Sequence, residues 1–190
     1  MTWAVGVFGV TGIGKSTLLD AHVARTPSDR HVGGSSVVKA IIAPHTVWDL
    51  DGWPPERQEA VRGESIRRLR LMRAETPRHL LVAGHFSLRN RTSGALESIL
   101  TSDDHAFFDA LVHVDGTADA VLAQTGRDSR QRHGQDLESV LAHLAFERNL
   151  ADTTARLMGV PMVRISAPSL EERLVQLSEF LEHLERKDEE

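Results

Sequence analysis

Gly9-Val10-Thr11-Gly12-Ile13-Gly14-Lys15-Ser16 follows directly on the apolar run Trp3-Ala4-Val5-Gly6-Val7-Phe8 and leads straight into Thr17-Leu18-Leu19. Small and β-branched residues over this length read as a buried parallel strand, and the residues after the glycines read as a helix start. The octapeptide matches G-x-x-x-x-G-K-[ST] in full, in the strand, turn and helix context that its mechanism requires. Its glycines let the backbone curl so that N–H groups converge on an anion, and the positive end of the following helix adds to them. The pattern predicts a nucleoside triphosphate site, read as ATP, formed by Gly9, Val10, Thr11, Gly12, Ile13, Gly14, Lys15, Ser16 and Thr17. Lys15 is expected to reach the β- and γ-phosphates and the Ser16 hydroxyl to hold Mg²⁺, with Thr17 supporting the loop. The competing reading, a glycine-rich turn that binds nothing, leaves a lysine buried at a helix start without a reason.

Outward from this unit, strands and helices alternate. A short extended piece is expected at His31-Val32-Gly33, followed by a helical turn or two around Ser36 to Ile42. Pro54-Pro55-Glu56 marks a helix start, because proline is tolerated where no intrahelical N–H is needed and glutamate complements the helix dipole. That helix should run to about Glu75. Buried strands are predicted at His79 to Gly84, Ala110 to Asp115 and Val160 to Ile165. A short helix is expected near Ala95 to Leu100, another from Thr117 to about Gln124, and a long one from Gln135 to Met158. The last helix, from about Leu170 to Arg186, carries Leu170, Leu174, Leu177, Leu181 and Leu184 on one stripe. Strands alternating with helices imply an α/β fold with a mostly parallel sheet covered on both faces.

The 190 residues fit one domain, predicted over 1–186, with 187–190 as a charged tail. With 41% hydrophobic and 26% charged residues, the composition argues against both disorder and membrane residence. The apolar start is too short and glycine-broken for a signal segment or a membrane span, so a cytoplasmic protein is expected. There is no cysteine, which removes disulfides, thiolate metal sites and cysteine nucleophiles together. A formal charge of −5 offers nucleic acid no general attraction.

The acceptor of the terminal phosphate is sought in the second half of the chain. Gly126-Arg127-Asp128-Ser129-Arg130-Gln131-Arg132-His133-Gly134 places Arg127, Arg130 and Arg132 in a glycine-bounded segment between two helices. It reads as a short arginine-rich lid over 126–134 that neutralises charge on a transferred phosphoryl group, or as a solvated basic loop. On the long helix, the stripe Leu137, Leu141, Leu144, Ala151, Ala155, Met158 is interrupted where Arg148 falls. A charge there needs a partner, either a phosphate or an acid such as Asp115 or Glu147.

At this point the chain resembles the P-loop nucleoside monophosphate kinases, in particular the archaeal-type adenylate kinases. The likeness runs from Val5–Leu19, through Leu50-Asp51 before the Pro54 helix and the strand ending in His85, to the lid, the helix with Arg148 and Val160–Ile165. It implies a three-layer P-loop kinase fold with a five-stranded sheet, ATP at the loop and a monophosphate acceptor opposite. It also makes Arg127, Arg130, Arg132 and Arg148 phosphate contacts, and it leaves a homo-oligomer possible.

Two departures bear on function. Family members place an acid at the end of the third strand to assist Mg²⁺, whereas this chain has Ala83-Gly84-His85. Asp115, at the end of the next strand, is the candidate replacement, its other reading being an N-cap for the following helix. The family's acceptor arginine is also missing before Leu50-Asp51, so Arg57, Arg62, Arg89 or Arg91 must supply that charge, or the acceptor is different. Asp49 and Asp51, beside Trp48 and Trp53, could take a proton from an alcohol, or Asp51-Gly52 could be turn chemistry. His85 reads as a substrate contact or a satisfied strand-end histidine. Three functions follow: phosphoryl transfer from ATP to a nucleoside monophosphate or nucleotide-like molecule, phosphorylation of a small alcohol with Asp49 or Asp51 as base, or a regulatory ATPase switch.

Overall fold

A computed structural model of the chain describes residues 2–47, 49–90, 93–126 and 136–188. The element order is β1 (Trp3–Phe8), α1 (Lys15–Arg25), β2 (Arg30–Gly33), α2 (Gly34–Ile42), a 3₁₀ turn (Leu50–Gly52), α3 (Pro55–Ala74) and β3 (His79–Ala83). It continues with β4 (Ser87–Arg89), β5 (Leu96–Ser98), α4 (Ser102–His105), β6 (Ala110–Val114), α5 (Ala118–Gly126), α6 (Leu137–Met158), β7 (Met162–Ile165) and α7 (Leu170–Asp188).

Five strands form one sheet in the order β2-β3-β1-β6-β7, and every pairing in it is parallel. β1 lies in the middle, with Val5 opposite Leu81 on one side and Ala110 on the other. The period of two along β1 divides the core. Val5 and Val7 pack with Leu18 and Leu19 of α1 and with Leu174, Leu177, Leu181 and Leu184 of α7. Ala4 and Phe8 pack on the other face with Ile66 and Leu69 of α3, Phe86, and Ala151 and Ala155 of α6. This is the three-layer α/β architecture expected. The strand order reverses at β1, so the loops leaving the carboxyl ends of β3, β1 and β6 meet in one crevice, where ligands of such sheets bind. At the opposite end, buried Asp29 accepts from the His79 backbone N–H at 3.1 Å and meets His22 Nε2 at 2.7 Å, tying the start of β3 to α1.

Two local expectations are corrected. The segment near Ala95 to Leu100 is not helical: Leu96–Ser98 pairs antiparallel with Ser87–Arg89 as a hairpin. Its turn closes through Gly94 at φ 72°, with the Asn90 N–H donating to the Ala95 carbonyl at 2.8 Å. Three residues are too few for a period to separate strand from helix. On α6 the buried face is Val140, Leu144, Glu147, Ala151, Thr154 and Ala155, whereas Leu137 and Leu141 are about half exposed. Leu144, Ala151 and Ala155 of the expected stripe are buried, but the face is rotated from that stripe by less than one residue, which makes Glu147 the buried charge and leaves Arg148 at the margin. Among the described residues no helix is long and apolar enough to cross a membrane.

The α7 stripe carries much of one core layer. Leu177→Ala, at a position with no exposure, is expected to lower unfolding free energy by about 2–5 kcal/mol, whereas Leu157→Ala, at 72% exposure, should change it by less than about 0.5 kcal/mol. Urea denaturation of both variants measures the difference.

Candidate functional site

The loop between β1 and α1 has the backbone its glycines allow. Gly12 and Gly14 adopt φ of 86° and 95°, a region that costs residues with a Cβ. Val10 and Ile13 are buried and anchor the loop to the core, while Ser16 and Thr17 are exposed at the first turn of α1. Gly14 at the N-cap has no side chain to occupy the helix end, so its N–H groups remain directed at whatever sits there. Lys15 is buried, and its Nζ donates to the carbonyls of Gly9 at 2.6 Å and Val10 at 2.9 Å. The structure thus brings together Gly9, Val10, Thr11, Gly12, Ile13 and Gly14 as a loop and Lys15, Ser16 and Thr17 as the first helical turn, at the end of the central strand.

Asp115 and Arg148 are brought together as an ion pair. Arg148 Nε donates to Asp115 Oδ2 at 2.7 Å and its Nη2 to Oδ1 at 3.0 Å and to the Gly116 carbonyl at 3.2 Å. Burial opposes the charge on Asp115, but the Arg148 fork and the Gly116 N–H overcome it and hold the carboxyl below the ordinary range. Asp115 is not the N-cap of α5, since the Thr117 hydroxyl accepts the Ala120 N–H at 3.2 Å. Of the two partners open to Arg148, the structure pairs it with the acid.

Arg173, in the first turn of α7, carries no signal in the sequence beyond a charge on an amphipathic helix. It donates from Nη1 to the Ile13 carbonyl at 2.9 Å and from Nε to the Ala167 carbonyl at 2.6 Å, and its Nη2 lies 3.4 Å from the Asp115 carbonyl. One planar guanidinium therefore links the phosphate loop to the ends of β6 and β7.

Beyond β3, a Cβ at Gly84 would lie 2.6 Å from the buried Phe8 ring, so an acid there would require that ring to move. His85 next to it turns toward the loop and its Nδ1–H donates to the Gly9 carbonyl at 2.8 Å. Two residues on, the Ser87 N–H and hydroxyl both donate to Glu147 Oε1, each at 2.7 Å, and His143 Nε2 is 3.0 Å from the same hydroxyl. Burial raises the Glu147 carboxyl above the usual carboxylate range, opposed by the Ser87 hydrogen bonds and the Lys15 charge.

Asp49, one of the two candidate bases, is engaged by its own turn. Its Oδ2 accepts from the Thr46 N–H at 2.6 Å and hydroxyl at 2.9 Å, a turn-forming role that also holds its carboxyl low. Arg57 Cζ lies over the Trp53 ring, 3.5 Å from its centroid, with His45 edge-on to the same ring at 5.2 Å. Arg89 donates to the Gly94 carbonyl at 2.6 Å and steadies the hairpin, and Arg62 is exposed on α3. The lid residues Arg127, Arg130 and Arg132 lie outside the described residues, as do Trp48 and Arg91 and the side chain of Asp51. Among the described residues no cluster of three His, Asp or Glu side chains could hold a metal ion. A cation bound with nucleotide phosphates and the exposed Ser16 hydroxyl needs no such cage, because Mg²⁺ keeps several waters.

His113 of β6 sits in the same wall, fully buried beside Phe86, with its Nδ1 accepting from Arg164 Nε at 3.3 Å. Burial, against the pull of Asp115, pushes its pKa down to about 4. The unfolded chain binds this proton more tightly, so the neutral ring's contribution is complete above about pH 6.5 and is lost as pH falls toward about 4. Urea unfolding should show the wild type losing about 2 kcal/mol more than His113→Gln between about pH 7 and about pH 5.

No protein-family model matches the chain, and no curated protein does. Solved structures do. Shikimate kinase from Acinetobacter baumannii, in complex with shikimate, superposes with a TM-score of 0.60 at 15% identity, covering 98% of this chain and 96% of that one. A gluconokinase from Sinorhizobium meliloti 1021 gives 0.58 at 15% identity, covering 97% of each chain. Shikimate kinase from Bacteroides thetaiotaomicron gives 0.56 at 16% identity, covering 95% and 98%. At such identities the likeness speaks for architecture, and the chain has the P-loop kinase fold.

Proposed function

We propose that this chain is an ATP-dependent phosphotransferase that moves the γ-phosphoryl group of ATP to a small molecule, a nucleoside monophosphate or a nucleotide-like metabolite. The observation that carries the reading is Lys15, buried and held by its own loop's carbonyls beneath an uncapped helix end, in a fold shared with small-molecule kinases. The N–H groups of the loop and the first turn of α1 receive the β-phosphate, and Lys15 exchanges a carbonyl for phosphate oxygens. The exposed Ser16 hydroxyl would hold Mg²⁺, which would supply neutralisation of the phosphate charge. Arg148, paired with Asp115 at the end of β6, and the lid arginines Arg127, Arg130 and Arg132 of the sequence reading would neutralise charge on the transferred group. Catalysis is then positioning and electrostatics.

The likeness to shikimate kinase and gluconokinase supports a second reading, a kinase of a small alcohol. Asp51 is then the base in question, because Asp49 is engaged by Thr46.

Two measurements test these readings. ADP release from ATP with a panel of nucleoside monophosphates and small alcohols should be stimulated by an acceptor, and Lys15→Met should cut that rate by about 10²-fold or more. No acceptor-stimulated release from any of them would favour a regulatory ATPase and defeat both readings. With the acceptor known, Asp51→Asn should leave a monophosphate kinase within about twofold of wild type but slow an alcohol kinase by about 10²–10⁴-fold.

A further inference from the structure

α6 crosses the crevice at the carboxyl ends of three strands. Glu147 reaches Ser87 just beyond β3, while the next residue, Arg148, reaches Asp115 at the end of β6. β1 and its phosphate loop lie between these two contacts in the strand order. Glu147 has no exposure, one of its oxygens accepts twice from Ser87, and Oε2 is buried with no hydrogen-bond partner among the described residues. A carboxylate in that position is not the choice that favours folding most, since a neutral isostere would avoid the cost of burying a charge.

The segment 85–87 is gripped at both ends. At one end Ser87 gives its N–H and hydroxyl to Glu147, and at the other His85 gives its Nδ1–H to Gly9. A carbonyl oxygen can only accept, so the proton must sit on Nδ1 of His85. The Gly9 oxygen is also one of the two that receive Lys15 Nζ. Glu147, Ser87, His85, Gly9 and Lys15 therefore form one continuous chain of contacts. His143 steadies it from the side, 3.0 Å from the Ser87 hydroxyl and 3.8 Å from Glu147 Oε1.

We propose that Glu147 is a positioning residue for the phosphate loop: from α6 it fixes Ser87, and through the 85–87 segment it fixes His85 on the Gly9 carbonyl that receives Lys15. This rests on the reading of the loop as an ATP site. A device of this kind supplies order from a helix in a chain whose β3 ends on Ala83-Gly84-His85 without an acid, with Phe8 packed against Gly84.

The test is a double-mutant cycle on Mg·ATP binding, measured by calorimetry, with thermal unfolding of the same samples. Glu147→Gln and His85→Leu should each weaken binding about tenfold. The E147Q/H85L double variant should be no weaker than the worse single variant, because both act on one path. E147Q should unfold at or above the wild-type temperature, and His85→Asn, which keeps a donor near Nδ1, should bind like wild type. Ser87→Ala, which removes only a hydroxyl, should weaken binding in the same direction and serves if E147Q does not fold. Independently of nucleotide, nitrogen-detected NMR should find the Nδ1–H form of His85 in the wild type and a mixture of tautomers in E147Q.

Additive losses in the cycle overturn the proposal, as does an E147Q variant with a lowered unfolding temperature but unchanged Mg·ATP affinity. A wild-type protein that binds no Mg·ATP but shows the NMR change refutes the nucleotide reading while leaving Glu147 in control of His85. An unchanged His85 signal refutes that control directly.

Discussion

The Lys15 ammonium is withdrawn from water at the end of β1 and met there by the carbonyl oxygens of Gly9 and Val10. Backbone carbonyls can turn toward a cation only if the chain folds back on itself, which requires the left-handed glycines at 12 and 14 and the buried anchors Val10 and Ile13. A strand in the middle of the sheet is needed to hold the loop's base rigid, and apolar layers on both faces are needed to hold the strand. The cost of burying a cation is offset locally by dipoles, and a phosphate can replace those dipoles without a change of scaffold.

Around this lysine the charged side chains fall into two kinds of arrangement. Arg173 and Arg148 meet mainly backbone carbonyls and the Asp115 carboxylate, so they join the ends of β1, β6 and β7 into one rim. Glu147 is enclosed and meets the N–H and hydroxyl of Ser87. The first arrangement is partly solvated and adaptable: the Arg148 side chain retains 43% exposure, so its pairing with Asp115 is worth less than the same geometry in the interior. The second lies in the low-dielectric core, where every hydrogen bond and every unpaired oxygen counts for more.

Much of the architecture was legible because its signals are local and repeated. The apolar run Trp3–Phe8, the Pro55 helix start, the strands at 79 and 110 and the leucine stripe of α7 each depend on a period or a cap that neighbouring residues set. The hairpin at Ser87–Ser98 was misread because three-residue strands have no period to speak of and its turn rests on one glycine at φ 72°. The face of α6 was displaced because leucines were taken as the buried positions, whereas packing over β4 and β6 put Glu147 inside and left Leu137 and Leu141 half in water. Arg173 was invisible, since the three carbonyls it meets come from residues 13, 115 and 167.

By itself the sequence determined the phosphate loop, the alternation of strands and helices and the parallel sheet, because each follows from residue types at fixed short spacings that permit one backbone geometry. Tertiary structure alone decided which charges meet: Asp115 with Arg148, Ser87 with Glu147, His85 with Gly9 and Arg173 with the rim. Those pairs join residues 33 to 160 positions apart, at distances set by how helices lie across strand ends. A helix rotated by a fraction of a turn exchanges one charged partner for another, and local propensity does not distinguish between the two.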